Sequence, residues 1–271
     1  MSNKHISVDV LISTMNERIY MLERLMSNLQ FQDVNVIICH QITDGKNYKK
    51  PKLNNVTLTY IQDFGQGLSR SRNICLSKSK SDYVIFSDDD VLYYEDSITR
   101  FKNLVLNNPD VDIITFKASC IEDGSDFRSY PNDRMSIQDV RSFRPCSIEI
   151  AVKRTSVTNG NVLPFDERFG LGSRYPMHEE SIFINNALMN NSRVKFFPIV
   201  LVQHKKESTG THRLTNPRLV SATGAYYRIV YGRPLSLVLC IRNTMKALVS
   251  KQRRISIFNY FYSLVRGEAL K

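Results

Sequence analysis

The chain has 271 residues, of which 42% are hydrophobic and 10% are aromatic, and this composition excludes an intrinsically disordered protein. No apolar run approaches the ~18 residues of a membrane span, and the first residues lack a signal-peptide pattern. The five cysteines are scattered without a CxxC pair. We therefore expect a cytoplasmic protein with reduced thiols and no zinc site.

The positive charge is concentrated near the C-terminus. The formal net charge is +11, and residues 205–271 carry all of it, with 13 Lys and Arg against Glu207 and Glu268. A neutral body with a basic tail predicts an anionic partner for the tail. A nucleic-acid-binding protein is one alternative, but it would require a basic face on the body as well.

Strand and helix patterns alternate over the first part of the chain. In order, we predict a strand at residues 8–13, a turn at 14–16, a helix to about Leu29, strands at 34–39 and 56–61, a helix at 67–80, a strand at 82–86, a helix at 96–106 and a strand at 111–116. This alternation predicts an α/β fold with a mainly parallel, Rossmann-like sheet and helices on both faces.

The remaining chain is less regular and then helical. Residues 119–164 are irregular with a strand at 146–152, and a helix at 181–190 and a strand at 196–203 follow. Beyond Pro217, residues 235–249 and 255–265 place apolar and basic side chains at helical spacing. We divide the chain into a domain of residues 1–217 and a helical extension of residues 218–271. The extension caps the core, lies on anionic lipid head groups, or does both.

A cluster of carboxylates at a strand end is the most informative feature. The apolar strand at residues 82–86 runs through Ser87 into Asp88, Asp89 and Asp90. Open α/β sheets bind ligands at the carboxyl ends of their strands. Adjacent like charges are best tolerated where a divalent cation or solvent neutralises them. The alternative is an acidic turn that caps the next helix.

Polar residues also follow the first two strands. Thr14, Asn16 and Glu17 come directly after the first strand, and Asp44 follows the second. A carboxylate at Asp44 is suited to accept hydrogen bonds from a nucleobase or ribose. An Asp-Gly turn, with Gly45, explains the same residue equally well.

The helix predicted at residues 67–80 opens with basic residues. Arg70, Arg72 and Asn73 lie near its N-terminus, where backbone amides and guanidinium groups both donate to the oxygens of a diphosphate. Alternatively, the two arginines pair with the aspartates and stabilise the fold.

Two further candidates lie late in the chain. Glu179 and Glu180 lie at the start of the helix that continues through residues 181–190. Acids at a helix start are favourable through the helix dipole alone. One of them is also suited to take the proton of an attacking hydroxyl. His204 follows the strand at residues 196–203, which makes it a candidate metal ligand at the same sheet edge.

Together these motifs resemble the family 2 glycosyltransferases, from Val8 to about Gly232. The matching segments are Leu11–Asn16, Gly67–Asn73, Phe86–Asp90, which corresponds to the DxD motif, Phe165–Gly170, and the acidic pair at Glu179 and Glu180. The resemblance implies the GT-A fold. Among family 2 members, the closest likeness is to bacterial enzymes that build capsule or O-antigen polysaccharide.

The resemblance also implies roles for individual residues. Asp44 and Arg72 would hold the nucleotide, in a donor site that includes Thr14, Asn16, Glu17, Arg70 and Asn73. Asp88 would reach the ribose and is also a candidate metal ligand. Asp90 would bind the divalent cation with His204, and Asp89 would share either task. Glu180 would be the catalytic base, with Glu179 as the alternative because this pair replaces the family's Glu-Asp.

The predicted function is inverting transfer from a nucleotide sugar, a UDP-hexose or UDP-N-acetylhexosamine, with Mn or Mg as cofactor. The acceptor would be a lipid-linked glycan, with the enzyme peripheral on the inner face of the cytoplasmic membrane and no nucleic acid bound. A sugar-nucleotide nucleotidyltransferase is the main enzymatic alternative. Those enzymes usually have a glycine-rich loop after the first strand, whereas residues 13–18 contain no glycine.

Overall fold

A computed structural model describes residues 5–22, 33–52, 56–206, 216–250 and 255–269. The helix predicted to run to about Leu29 lies largely outside these residues, and its described beginning is a 3-10 helix at Asn16–Met21. None of the helices in the described part of the chain has the length and apolar character of a transmembrane span.

The described residues form one nine-stranded sheet and six α-helices. The strands are β1 (Val8–Met15), β2 (Asn35–Gln41), β3 (Thr57–Asp63), β4 (Tyr83–Asp88), β5 (Leu92–Tyr93), β6 (Ile113–Cys120), β7 (Met135–Ile137), β8 (Ile150–Lys153) and β9 (Val194–His204). The helices are α1 (Leu68–Lys78), α2 (Ser97–Leu106), α3 (Arg154–Thr158), α4 (Glu179–Met189), α5 (Pro217–Leu248) and α6 (Ile257–Glu268).

The sheet order places several strand ends at one edge. The order is β3-β2-β1-β4-β8-β6-β9-β5, with β7 paired to β9. Adjacent strands run parallel from β3 through β2 and β1 to β4, and β6 is parallel to β9. Strand β8 is antiparallel to both β4 and β6. The predicted α/β class is confirmed. Because β1, β2 and β4 are parallel, the polar residues at their carboxyl ends lie at the same edge.

Two local predictions are corrected. The turn predicted at residues 14–16 is wrong at its start, because β1 continues through Met15 with Thr14 paired to His40 of β2. The strand predicted at residues 146–152 begins only at Ile150. A 3-10 helix at Ser147–Glu149 precedes it, and the Glu149 carboxylate folds back to accept a hydrogen bond from the Cys146 amide at 2.8 Å.

The chain divides into two compact units. The first comprises Met1–Gln66, Arg70–Pro164 and Phe183–Lys206, and the second comprises Gly67–Ser69, Phe165–Ile182 and Glu207–Lys271. The first unit contains the sheet, whose strands β1, β2 and β4 are apolar and buried. The division at residues 217 and 218 predicted from the sequence stays a prediction, since residues 165–182, which include the start of α4, belong to the same unit as the tail.

The second unit contains α5 and α6. Helix α5 is interrupted at Gly232, whose φ of 71° is in the left-handed region that favours glycine. Asn243, after this interruption, donates to the Tyr227 hydroxyl at 2.7 Å and accepts from the Tyr260 hydroxyl at 2.7 Å. The Asn243 side chain therefore links the two halves of α5 to each other and to α6. These hydrogen bonds hold the Asn243 side of α5 toward the interior of the unit.

Candidate active site

The predicted aspartates lie beside the end of β1. Ser13 is paired with Asp88 across β1 and β4, and the Thr14 hydroxyl donates to Asp89 Oδ2 at 2.7 Å. Arg18 Nε donates to the same oxygen at 2.9 Å. Asp89 is only 3% exposed, and burial raises its pKa against the opposing hydrogen bonds from Arg18 and Thr14. Asp89 therefore joins β1 to the end of β4, and its predicted contact with the nucleotide stays a prediction.

Asp90 pairs with a histidine from another strand. Nε2 of His204, the last residue of β9, lies 3.3 Å from Asp90 Oδ1, and its Nδ1 lies 2.6 Å from the Lys205 carbonyl oxygen. The hydrogen bond from His204, helped by Arg18, lowers the pKa of Asp90 to about 2 although burial opposes it. Burial lowers the pKa of His204, but Asp90 and the Lys205 carbonyl outweigh this effect and raise it. The two residues predicted as metal ligands therefore lie in direct contact, and their metal-binding role stays a prediction.

The two arginines of α1 contact aspartates. Arg70 forms a two-pronged ion pair with Asp63, with both N–O distances at 3.0 Å. Arg72 is 2% exposed, donates to the Ser147 hydroxyl at 2.7 Å and lies 3.4 Å from Asp88 Oδ1. The alternative considered above, in which the arginines pair with the aspartate cluster, holds for the contact of Arg72 with Asp88, whereas Arg70 pairs with Asp63, outside the cluster. The diphosphate-binding role of Arg70, Arg72 and the half-buried Asn73 stays a prediction.

Polar contacts also join the ends of β1 and β2. The Asn16 side chain accepts a hydrogen bond from the Thr43 amide at 2.9 Å, and Glu17 pairs with Lys46 at 2.5 Å. Asp44 accepts from the Tyr48 hydroxyl at 2.6 Å and from the Lys46 amide at 3.1 Å. The Asp-Gly turn considered above is therefore present, and the same carboxylate remains a candidate for contact with the donor.

In the second unit, a glycine loop packs against the acidic start of α4. The Ser69 hydroxyl donates to the Phe169 carbonyl at 2.6 Å, which ties the start of α1 to this loop. Gly170 has a φ of 102°, and a Cβ there would lie 3.4 Å from the carboxyl carbon of Glu179 and 3.0 Å from Ser69 Oγ. Glu179 is buried beneath the loop, whereas Glu180 is half-buried. Glu180 is therefore the more accessible acid of the pair.

His178, which directly precedes this acidic pair, has an unusual backbone conformation. It is a non-glycine residue with a φ of 77°, and such a conformation persists only where the surroundings enforce it. Its ring stacks on Tyr226 of α5 at a centroid distance of 4.5 Å, and its Nε2 lies 3.2 Å from the Thr223 hydroxyl. The start of α4 is thereby anchored to α5.

The model of the glycosyl transferase family 2 matches residues 9–159, which is more than half of the chain. The chain belongs to glycosyl transferase family 2. The prediction made from the sequence motifs is confirmed, and the protein is a glycosyltransferase. No curated protein matches the chain in a sequence search.

Solved structures support the same fold for this glycosyltransferase. TarS residues 1–349 from S. aureus superimpose with a TM-score of 0.62 at 14% identity, over 98% of this chain and 92% of that one. The UDP-GlcNAc complex of the same protein superimposes with a TM-score of 0.62 at 13% identity, over 96% of this chain and 91% of that one. The mannosyltransferase PcManGT from Pyrobaculum calidifontis, in complex with GDP-Man and Mn²⁺, superimposes with a TM-score of 0.55 at 14% identity, over 99% of this chain and 88% of that one.

The acidic strand end of this family 2 member is chemically suited to a divalent cation. Carboxylate oxygen and imidazole nitrogen are ligands that Mn²⁺ accepts, and Asp90 and His204 provide them within 3.3 Å of each other. Nδ1 of His204 is engaged by a backbone carbonyl, the arrangement that leaves Nε2 for a metal. Among the described residues no group of three or more His, Cys, Asp or Glu is placed to hold a metal ion. Two protein ligands would leave positions for phosphate oxygens.

Two residues of this glycosyltransferase site were missed by the sequence analysis. Arg18 follows the polar residues at the end of the first strand but was given no role, and it contacts both Asp89 and Asp90. A cation shortly after β1, ahead of an acidic strand end, was the available signal. His178 carried no signal, because a left-handed backbone at a histidine is imposed by its tertiary contacts.

We predict that Arg18→Met lowers the free energy of unfolding by about 1–3 kcal/mol, because, among the described residues, it leaves the buried Asp89 carboxylate with Thr14 as its hydrogen-bond donor. Urea denaturation followed by circular dichroism measures this free energy of unfolding. The matched control is Lys46→Met, which removes an exposed ion pair with Glu17 and should change stability by less than about 0.5 kcal/mol. Equal effects of the two substitutions would contradict a structural role for Arg18.

Proposed function

We propose that this glycosyltransferase moves a hexose or N-acetylhexosamine from a UDP-sugar to a hydroxyl of a glycan acceptor, with inversion at the anomeric carbon. The observation that carries the proposal is the strand end at Asp88–Asp90, paired with His204, in a chain of family 2. The solved neighbours that bind UDP-GlcNAc, or GDP-Man with Mn²⁺, support a nucleotide-sugar donor and a divalent cation.

The donor would be held by residues at the carboxyl ends of β1, β2 and β4. Asp44 and Asp88 would accept hydrogen bonds from the nucleoside, and the buried guanidinium of Arg72 orients Asp88 at 3.4 Å. Asp90 and His204 would hold a Mn or Mg ion, with Asp88 beside it. When bound, this ion offsets the negative charge of the leaving diphosphate.

The reaction would be a single displacement. Glu180 would take the proton of the acceptor hydroxyl while that oxygen attacks the anomeric carbon from the face opposite the diphosphate. The bond from the anomeric carbon to the diphosphate oxygen breaks, and its electron pair leaves with the diphosphate. The positive character that develops on the sugar ring is favoured by nearby carboxylates, as in glycoside hydrolysis.

The acceptor would be a glycan carried on a lipid diphosphate, as in the assembly of bacterial capsule or O-antigen polysaccharide. The basic tail supports this assignment, because residues 205–271 carry a net charge of +11. An enzyme that acts on a lipid-linked chain gains from staying at the inner face of the cytoplasmic membrane.

The test is a panel of nucleotide sugars incubated with the protein and Mn²⁺, with release of nucleoside diphosphate as the readout. We expect a UDP-sugar to be consumed fastest, by slow hydrolysis if no acceptor is added. Consumption of a sugar phosphate and nucleoside triphosphate, with release of pyrophosphate, would instead identify the nucleotidyltransferase alternative. Preference for a GDP-sugar would overturn the assignment of the donor.

A further inference from the structure

The second half of α5 exposes an apolar face. Leu237, Val238, Ile241, Met245 and Leu248 are 40–66% exposed. They recur at intervals of one to four residues, which places them on one side of the helix. A stripe of this kind on a helix that is already packed on its other side needs an explanation, because contiguous exposed apolar surface marks interaction sites.

Helix α6 exposes a similar face. Phe258 is 82% exposed, Phe261 41% and Tyr262 64%, and all three lie within its first two turns. Aromatic side chains of this type are favoured at the boundary between lipid and water, since they combine an apolar ring with, in tyrosine, a polar tip. We call these three residues, together with Leu237, Val238, Ile241, Met245 and Leu248, the apolar docking face.

The opposite sides of both helices are committed to the core of the second unit. Cys240 and Ala247 of α5 pack with Tyr260 and Leu264 of α6, and all four are at most 2% exposed. A Cβ at Gly267 would lie 1.8 Å from the Ser221 carbonyl oxygen, so the two helices touch at their backbones. The helices therefore cannot rotate to bury the apolar docking face without breaking this core.

Basic residues border the face. Arg242 and Lys246 are exposed, lie one turn apart on α5 and are adjacent in sequence to Ile241 and Met245. Since residues 205–271 carry a net charge of +11, an anionic surface complements them. A second copy of the chain would instead bring two strongly positive surfaces together, which opposes self-association at this face.

We propose that the apolar docking face inserts into the head-group region of an anionic lipid bilayer, with Arg242 and Lys246 contacting the lipid phosphates. The helices lie along the surface, and the mode of binding is that of an interfacial amphipathic helix pair. The inference goes beyond the transfer reaction, because it assigns a lipid surface to residues outside the donor site. Lipid binding is measured without turnover, so this inference and the proposed reaction can fail separately.

The experiment is sedimentation of the full chain with sucrose-loaded vesicles of phosphatidylcholine alone or with about one third phosphatidylglycerol. We expect binding at least about tenfold tighter to the anionic vesicles at low salt, since each engaged basic side chain contributes roughly fivefold. This preference should weaken as salt increases, because the charges are screened over about 10 Å. Equal binding to both vesicle types would overturn the electrostatic part of the proposal.

Three variants separate the apolar contribution to vesicle binding from the electrostatic contribution. Ile241→Asp with Phe258→Asp should weaken binding to both vesicle types by about tenfold or more, because two inserted side chains become charged. Arg242→Glu with Lys246→Glu should weaken the preference for anionic lipid by about tenfold or more, since two basic side chains that contact lipid phosphates become acidic. Met189→Asp, which changes a methionine of α4 that is 76% exposed, should leave binding unchanged. Hydrolysis of the donor in solution, without vesicles, should stay at the wild-type rate in the first two variants.

Two results would overturn the proposal. One is retention of vesicle binding by the Ile241→Asp, Phe258→Asp protein with its circular dichroism spectrum intact. The other is a dimer of the wild-type chain in analytical ultracentrifugation that this double substitution dissociates, in the absence of vesicle binding. The second result would show that another copy covers the apolar docking face.

Discussion

Replacing Glu180 with glutamine is expected to lower kcat for sugar transfer by about 10²-fold or more while leaving donor binding largely intact. Glutamine keeps the size and hydrogen-bonding capacity of the side chain but cannot accept the proton of the acceptor hydroxyl. The structure favours Glu180 over its neighbour, because Glu179 is 5% exposed and lies under Gly170. The measurement is steady-state kinetics with the donor identified by the panel, combined with calorimetric titration of that donor.

Two controls accompany this substitution. Glu179→Gln is expected to affect folding stability more than kcat, since its carboxyl group is packed under the glycine loop. Glu122→Gln changes an exposed carboxylate of the first unit and should have no effect. If Glu179→Gln abolishes turnover and Glu180→Gln does not, the base is one residue earlier. If neither substitution matters, the base lies elsewhere in the chain.

Chelation is expected to abolish turnover, and added Mn²⁺ or Mg²⁺ to restore it, because the leaving diphosphate requires charge neutralisation. The residues that would hold the ion are Asp90 and His204. Asp90→Asn removes the negative charge of the ligand and should raise the Mn²⁺ concentration for half-maximal activity by at least about tenfold. Binding of Mn²⁺ measured by electron paramagnetic resonance, with and without UDP, gives a second readout that does not depend on turnover.

A matched control for this experiment is Asp139→Asn. Asp139 pairs with Arg141 on the surface of the first unit and has no role in the proposed site. This substitution should leave both the metal dependence and kcat unchanged. Full activity of the wild-type protein in excess chelator would rule out the assigned metal role, and an unchanged Mn²⁺ dependence in Asp90→Asn would move the ion to other ligands.

The parallel part of the sheet was predictable because its signal is local. The strands predicted at residues 8–13 and 34–39 are mostly apolar, with Asp9 and Asn35 as polar exceptions near their starts, as expected for strands buried on both faces. The strand ends were less predictable. Continuation of β1 through Met15 depends on its pairing with Gln41 of β2, a contact between segments far apart in the sequence.

The candidate site was predicted in its residue types but not in its contacts. Asp90 and His204 were placed together from their strand ends, and the structure brings them within 3.3 Å. The position of Arg18 after β1 was a signal for a role in the site, but its contacts could not be derived, because its side chain reaches Asp89 and Asp90 through the tertiary fold. Likewise, the backbone of His178 depends on its stacking against Tyr226 of α5, which no local pattern encodes.

The anomeric configuration of the first product tests the central claim most directly. The protein is incubated with an α-linked UDP-sugar, a glycan acceptor and Mn²⁺, and the new glycosidic linkage is followed by proton NMR from the earliest time points. A single displacement with Glu180 as base predicts a β-linked product, formed at a rate that Glu180→Gln reduces by about 10²-fold. An α-linked product would contradict the account, because retention requires a mechanism other than one direct displacement.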